Sequence, residues 1–532
     1  MPKQPYSMIN STFNKYWKWS AFALVISIGV AGLSSIPYSE ATSSLNFPPE
    51  LTPITPYDIN IKEKNVMEAA GKFNEIQRTF EVLSWQMFVA LNWPYENGKP
   101  ASMITGAGEP LWDSWKESYE VYKSDGSKPG PWGTEELPLF TQGSVDGCEN
   151  ILYRTSKFAH LADTDYADEI DQAFSAPIWD QNGNMLRYEV RMNEMEFNYL
   201  VENELYNYDG QIKFSENGTK VVTFPSGNLK QQGAIEIKLA WKILAEDDPF
   251  LDRYYHREAC VLNPDKTFSE ATVGLVGMHI ATKTVSSPQW IWATFEHVDN
   301  LEVNVLATHN GHNLKPSFYD PDCQTCPINV FPDTSKTPVK NQIQRVLPIA
   351  MATQALNAEV QAILGAANSP LQYYQLIGAQ WPTKPTKAPY PVLPPTDTTK
   401  RAVPEAVINK AGGDATPVYL TNMVMETYFQ GATQGSDFNY LMANEPAWLQ
   451  IEGFPQQTTE LIFGTESCVG CHASASIAVA ETMVDGKRTP VFGQRYLYES
   501  QAIGDFSWLM QQKAHFKVPA KTRPVSKVPV KQ

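Results

Sequence analysis

From Met192 to Thr308 the chain is dominated by short β-branched and aromatic runs: QIKFS, TKVVTF, AIEIKLAWKIL, ATVGLVGMHIATKTV and QWIWATFEHV. Partial alternation over runs of this length is the pattern of strands with two unlike faces, so this stretch predicts a sheet of antiparallel type. Upstream the period changes. Between about Asn65 and Asn92, Phe73, Ile76, Phe80, Leu83, Met87 and Leu91 recur at helical spacing, and Pro94 ends the element. Trp85, Phe88 and Trp93 thicken the apolar side of this helix as core. The fold class expected is therefore α+β.

The rest of the chain divides by composition. Residues 42–64 are an extended, proline-containing lead-in, and residues 95–150 are rich in Gly and Pro, as in GSKPGPWG. Residues 42–190 thus read as a helical and long-loop region, and 191–336 as the sheet-rich region, a substrate or docking module. A helical element is expected within 337–380, at about Lys340–Ala367, with Pro348 dividing it. Seven prolines between Pro382 and Pro404 make 381–404 a stiff connector. Residues 405–532 remain as a further domain, in which Ala475–Met483 is expected to be helical. At roughly 100–200 residues per domain, the 532 residues predict two to four domains. Acidic residues outnumber basic ones by 58 to 42, a formal charge of −16, and no basic patch compensates, which argues against a nucleic-acid partner.

The N-terminus carries Lys3, Lys15 and Lys18 before the uncharged run from Trp19 to Ile36. A basic flank, an apolar run and the small-residue site Ser39-Glu40-Ala41 describe an export signal over 1–41, with the body of the protein on the outer side of the membrane. The run is also long enough to persist as an uncleaved anchor, which would associate the chain with the membrane. The expected location is the periplasm, soluble or tethered to the outer face of the inner membrane. There cysteines are oxidised or ligated. Cys323 and Cys326, in PDCQTCPIN, are expected to form a local disulfide, with a redox or metal role as the alternative. Cys148 and Cys260 are the pair left over for a long-range bridge.

Cys468 and Cys471 have a different explanation. Cys468-Val469-Gly470-Cys471-His472 is the C-x-x-C-H pattern of covalent haem c attachment. Two thiols three positions apart can each add to one vinyl group of the porphyrin, and the adjacent His then lies where an imidazole nitrogen binds the iron. In this segment the sequence resembles the c-type cytochromes. The resemblance covers the motif and its surroundings only, and implies one covalent haem c, a mainly α-helical cytochrome c-like fold for 405–532, and His472 as the metal ligand. In small carriers of that class a downstream Met closes the other face of the iron. Met510 is the better placed here, Met483 the other, and His515 a third candidate; core packing is the plainer account of Met510.

Four of the eight histidines fall close together: His279, His297, His309 and His312, with His256 and Glu258 just upstream. His279, His297 and Glu258, or Glu296 beside them, are the candidate catalytic groups, able to move protons over an open haem face. The plainer account is histidines satisfied by backbone carbonyls. His309 and His312 lack the third ligand a zinc site needs. Trp290, Trp292 and Phe295 could line a pocket or fill the sheet. Three functions follow: an exported haem c oxidoreductase whose upstream region builds a substrate or oxidant site, an electron carrier fused to a docking module, and a structural or binding subunit that carries haem. The partner is a redox protein or a small-molecule substrate.

Overall fold

The computed structural model describes residues 46–136, 150–152, 177–216, 222–263, 267–287, 290–301, 307–345, 348–381, 408–409, 416–417, 420–430, 468, 472, 475–493, 496–498, 501–502 and 504–518. The export run, the 381–404 connector beyond Trp381, Cys148 and Cys471 lie outside these residues. Among the described residues no helix is long and apolar enough to cross a membrane.

The helical periodicity of residues 65–92 becomes two helices, α1 (Ile61–Ala69) and α2 (Phe73–Leu91). Gly71 separates them at φ 69, a backbone conformation that disfavours residues with a side chain. Among the described residues the main sheet has eight strands: β1 (Lys116–Glu117), β2 (Ile151–Leu152), β3 (Arg187–Met192), β4 (Ile235–Ile243), β5 (His256–Leu262), β6 (Phe268–Thr282), β7 (Ile291–His297) and β8 (Tyr374–Gln380). Their order is β8-β7-β6-β4-β3-β1, antiparallel throughout. Strand β5 pairs with the first half of the 15-residue β6, and β2 runs parallel to β5. The mixed α+β class is thus observed.

Three local expectations are corrected. QIKFS lies in a helix, α4 (Tyr208–Ser215), which follows α3 (Glu194–Glu202). The Asn207 side chain caps α4 by accepting from the Gly210 N–H, and this outweighs the strand preference of so short a run. In 337–380 the helix is confined to α5 (Met351–Ala366), starting after Pro348, and Tyr374–Gln380 instead forms edge strand β8. Ala475–Met483 is not helical. It enters a hairpin of β9 (Ala478–Val484) and β10 (Lys487–Phe492), turned by Asp485 and Gly486 at φ 49 and 79. Asp-Gly with both residues at positive φ is the favoured two-residue hairpin turn. A last short helix, α6 (Leu509–Gln512), follows.

Strand alternation assigns the two sides of the sheet different work. Ile235, Ile237 and Leu239, Met278 and Ile280, and Ile291, Ala293 and Phe295 share one side and are buried in a single core with α2 and α5. Phe295 stacks on Phe88 at 4.2 Å and meets Trp85 edge-on at 4.9 Å, while the Trp85 indole donates to Asn357 Oδ1 at 3.0 Å. Burial of each such side chain is worth ~1.5–3 kcal/mol. The intervening residues, Glu236 and Lys238, His279 and Ala281, and Trp292, Thr294 and Glu296, form the other side. Being polar, that side needs partners rather than oil, and it receives them from the C-terminal third of the chain.

Candidate haem-attachment site

Residues 420–430 lie as a strap over the polar side of the sheet. Asn422 Nδ2 donates to Thr294 Oγ1 (2.8 Å) and the Phe295 carbonyl (3.0 Å), and the Met423 N–H donates to Glu296 Oε1 (2.7 Å). The Tyr188 hydroxyl donates to the Val424 carbonyl at 2.7 Å. Gly277 of β6 makes room for this approach: a Cβ there would sit 2.8 Å from Val424 Cγ2 and 3.3 Å from both terminal atoms of Asn422. The strap places Glu426 against His279, with His279 Nε2 3.0 Å from Glu426 Oε1, while Glu426 Oε2 accepts from the Asn422 N–H. A carboxylate only accepts, so Nε2 carries a proton, and in the neutral ring the lone pair is then on Nδ1. Nδ1 is buried and has no hydrogen-bond partner among the described residues.

Cys468 and His472 both have helical backbone. Cys468 packs against a large core cluster whose members include Trp290, Trp292, Ile477 and Met510, its Sγ 3.9 Å from the Leu420 carbonyl at the head of the strap. The His472 ring lies 4.4 Å from that of Trp292, and its Nδ1 is 2.7 Å from the Phe506 carbonyl. A carbonyl can only accept, so the neutral ring holds its proton on Nδ1 and its lone pair on Nε2.

The turn that presents this carbonyl is strained. Asp505 and Phe506 have φ of 44 and 69, and Trp290, whose indole donates to the Asp505 carbonyl at 2.9 Å, has φ 69. Non-glycine residues in this region cost roughly 1–3 kcal/mol each and persist where surroundings over-determine them. Here the determinants are visible. Asp505 holds the Lys283 ammonium and accepts from the Phe224 N–H at 2.6 Å, and Ser507 Oγ donates to Glu236 Oε2 at 2.9 Å. Gly504 lets the turn approach the backbone leaving His472, since a Cβ would meet Ala475 C and Ser476 N at 2.9 Å.

Haem c fits what is described of this site. The donor atom expected to face iron, His472 Nε2, is the nitrogen left with a lone pair, and the other nitrogen is oriented by a main-chain carbonyl, the usual outer partner of a ligating histidine. Cys468 and the indole of Trp292 stand in the same apolar cluster. Of the candidate sixth ligands, Met510 is fully buried there, Met483 is 63% exposed on β9, and His515 gives its carbonyl to the Tyr208 N–H. Two buried methionines that precede the motif, Met423 and Met425 in the strap, escape a search confined to residues after it.

The catalytic candidates separate. His279 lies on the same side of the sheet as Trp292, two residues along the neighbouring strand. His297 sits in the core, stacked on Tyr254 at 4.0 Å, with Nε2 3.0 Å from the Arg253 carbonyl and Nδ1 accepting from the Asp299 N–H at 3.1 Å. Both its nitrogens are engaged by main chain, and burial lowers its pKa to about 4. It caps a turn as a neutral ring. Glu258 is exposed on β5 and accepts from Thr272 across the strand pair at 2.6 Å. Glu296 is buried against Arg345, its carboxyl raised by loss of solvent. His309 and His312 face each other on a small hairpin, His309 also meeting Asp252 at 2.7 Å. Among the described residues no three His, Cys, Asp or Glu side chains converge as a metal site. Cys323 and Cys326 are disulfide-bonded, and Cys260 is in a disulfide whose expected partner, Cys148, lies outside the described residues.

Glu426, Asn422 and the Phe506 carbonyl had no signal in sequence: two are ordinary residues of TNMVMET, and the third is a main-chain atom. No family model, curated protein or solved structure matches this chain.

Proposed function

We propose that the chain is an exported haem c oxidoreductase, with the polar side of its sheet forming the floor of the site. The observation that supports this reading is the 2.7 Å contact of His472 Nδ1 with the Phe506 carbonyl, which in a neutral ring puts the proton on Nδ1 and the lone pair on Nε2, the nitrogen that would face an iron. Bound through Cys468 and Cys471, haem c supplies reversible one-electron chemistry at its iron. The chain's own residues do the rest. Phe506 fixes the ring and tautomer of His472, Trp292 packs against that ring, and the strap closes the apolar cluster at Leu420. His279, oriented by Glu426, accepts a proton at Nδ1 from a substrate or oxidant. The uncharged run before Ser43 supports a periplasmic setting, with a redox protein or a small molecule as the exchange partner.

The first test is haem staining after denaturing electrophoresis of protein made in cells that mature c-type cytochromes. Staining is expected in the wild type and lost in Cys468→Ser/Cys471→Ser; an unstained wild type refutes the reading. A high-spin ferric spectrum that responds to azide or cyanide then supports catalysis. His279→Gln should lower turnover at unchanged haem content, and unchanged turnover removes His279 from the chemistry. Burial of Met510 in the same cluster favours a second reading, an electron carrier closed by Met510, marked by a low-spin, ligand-inert spectrum with a Met-to-iron band.

A further inference from the structure

Among the described residues, two acids besides Asp505 belong to the surroundings of the Asp505-Phe506-Ser507 turn, Glu196 and Glu236. Glu196, on the first turn of α3, is fully buried, and neither carboxylate oxygen has a hydrogen-bond partner among the described residues. The Tyr122 hydroxyl, also buried and also without a partner among them, lies in the field of Glu196 and of Glu236. Glu236 is half-buried on the polar side of the sheet and bonded by Ser507, and Asn193 Oδ1, which accepts from both the Glu196 N–H and the Ile235 N–H at 3.1 Å, ties its strand to the first turn of α3. The turn thus touches three things with three successive residues: Asp505 holds Lys283, Phe506 orients His472, and Ser507 holds Glu236.

We propose that Glu196 and Glu236 form a proton-holding pair behind His472, carrying one proton at neutral pH and loaded or emptied as the charge at the His472 site changes.

Charge counting supports one proton. The groups facing the pair are Asp505 and Lys283, which neutralise each other, Lys238 beside Glu236, and the Tyr122 hydroxyl, which burial keeps neutral; the Tyr199 hydroxyl lies beside Asp505. Among these described groups two carboxylates then share one lysine, which leaves one negative charge over. In a site with little water such an excess is removed by protonation. Glu196 is the deeper group; burial first, then the charges of Glu236 and Asp505, push its carboxyl well up. Loss of solvent raises Glu236 to about 7, against the opposing pull of Ser507 and Lys238. Asp505 stands at about 6. Glu236 is the less buried residue of the two. An electron delivered to the His472 site by a one-electron donor removes a positive charge nearby, and a proton from solvent then adds to a carboxylate oxygen of the pair; oxidation reverses both. This coupling rests on the haem reading of Cys468–His472, whereas the protonated pair does not.

Infrared spectroscopy of the full protein tests the pair directly. A carboxylic acid C=O band, shifted in deuterium oxide, is expected at pH 7 and should be lost or displaced in Glu196→Gln and Glu236→Gln. Its absence from the wild type overturns the proposal, and titrating the wild-type band with pH decides the same question should a variant fail to fold. In haem-loaded protein the midpoint potential should fall with pH across the range in which the band titrates, by up to about 59 mV per tenfold change in proton concentration. Glu236→Gln should flatten that slope; a wild-type potential independent of pH overturns the coupling. A protein with no covalent haem refutes the function proposed above, and the infrared band still decides the pair.

Discussion

Replacing His297 by Phe is expected to change the pH dependence of stability. The wild-type ring accepts from the Asp299 N–H at Nδ1 and gives its Nε2 proton to the Arg253 carbonyl, so a second proton has nowhere to go but against an N–H. Burial is the largest cause of its pKa falling from 6.5 to about 4. The unfolded chain therefore binds a proton at a higher pH than the folded one, and stability falls as pH falls from 6.5 towards 4. At about 1.4 kcal/mol per pH unit, the stabilisation is fully present above the unfolded value. Roughly 2 kcal/mol of it is gone at pH 5 and about 3 near pH 4. Phe keeps the stack on Tyr254 but leaves the Arg253 carbonyl and the Asp299 N–H unpaired, about 1–3 kcal/mol for each buried group. Urea unfolding followed by tryptophan fluorescence should find the variant less stable at pH 7.5 and the gap between the two proteins narrowing by roughly 2 kcal/mol by pH 5. Parallel stability curves over that range would refute the assignment of His297 as a neutral core cap.

Asp505→Asn leaves the Lys283 ammonium buried without its carboxylate, and should cost about 3–5 kcal/mol in urea unfolding. Adding Lys283→Met should recover most of that loss; a single variant as stable as wild type would contradict the burial of the pair. Gly277→Val drives side-chain atoms into Val424 and Asn422. Limited proteolysis should then cut within 420–430 faster than in wild type, and an unchanged cleavage rate would detach the strap from the sheet. Cys323→Ser opens a loop closed over a sequence separation of 3, and loop-closure entropy puts the loss at about 2 kcal/mol. An effect near zero would mean that the unfolded chain is already compact there.

Local chemistry decided what could be read without coordinates. The alternation in AIEIKLAWKIL and QWIWATFEHV reflects the pleat of single strands, and the Cys323–Cys326 bridge closes within four residues. The Asp485-Gly486 turn was legible by the same rule and was hidden only by a helical reading of the residues before it.

Which alternating face became core and which became site could not be decided locally, because both faces of β4, β6 and β7 carry well-packed residues. It depended on α2 and α5 covering one side and residues 420–430 and 504–515 the other, contacts that span hundreds of positions. The two histidines that looked alike in sequence were separated in the same way. His279 met a carboxylate from the strap, and His297 met two main-chain groups. The sequence by itself determined the sheet and the covering helix, and it carries the C-x-x-C-H motif on which the haem proposal rests, since each is written in spacing. Only the tertiary structure decided the orientation of His472, the His279–Glu426 contact and the carboxylates behind the turn, because burial and hydrogen bonding there are set by residues brought together from opposite ends of the chain.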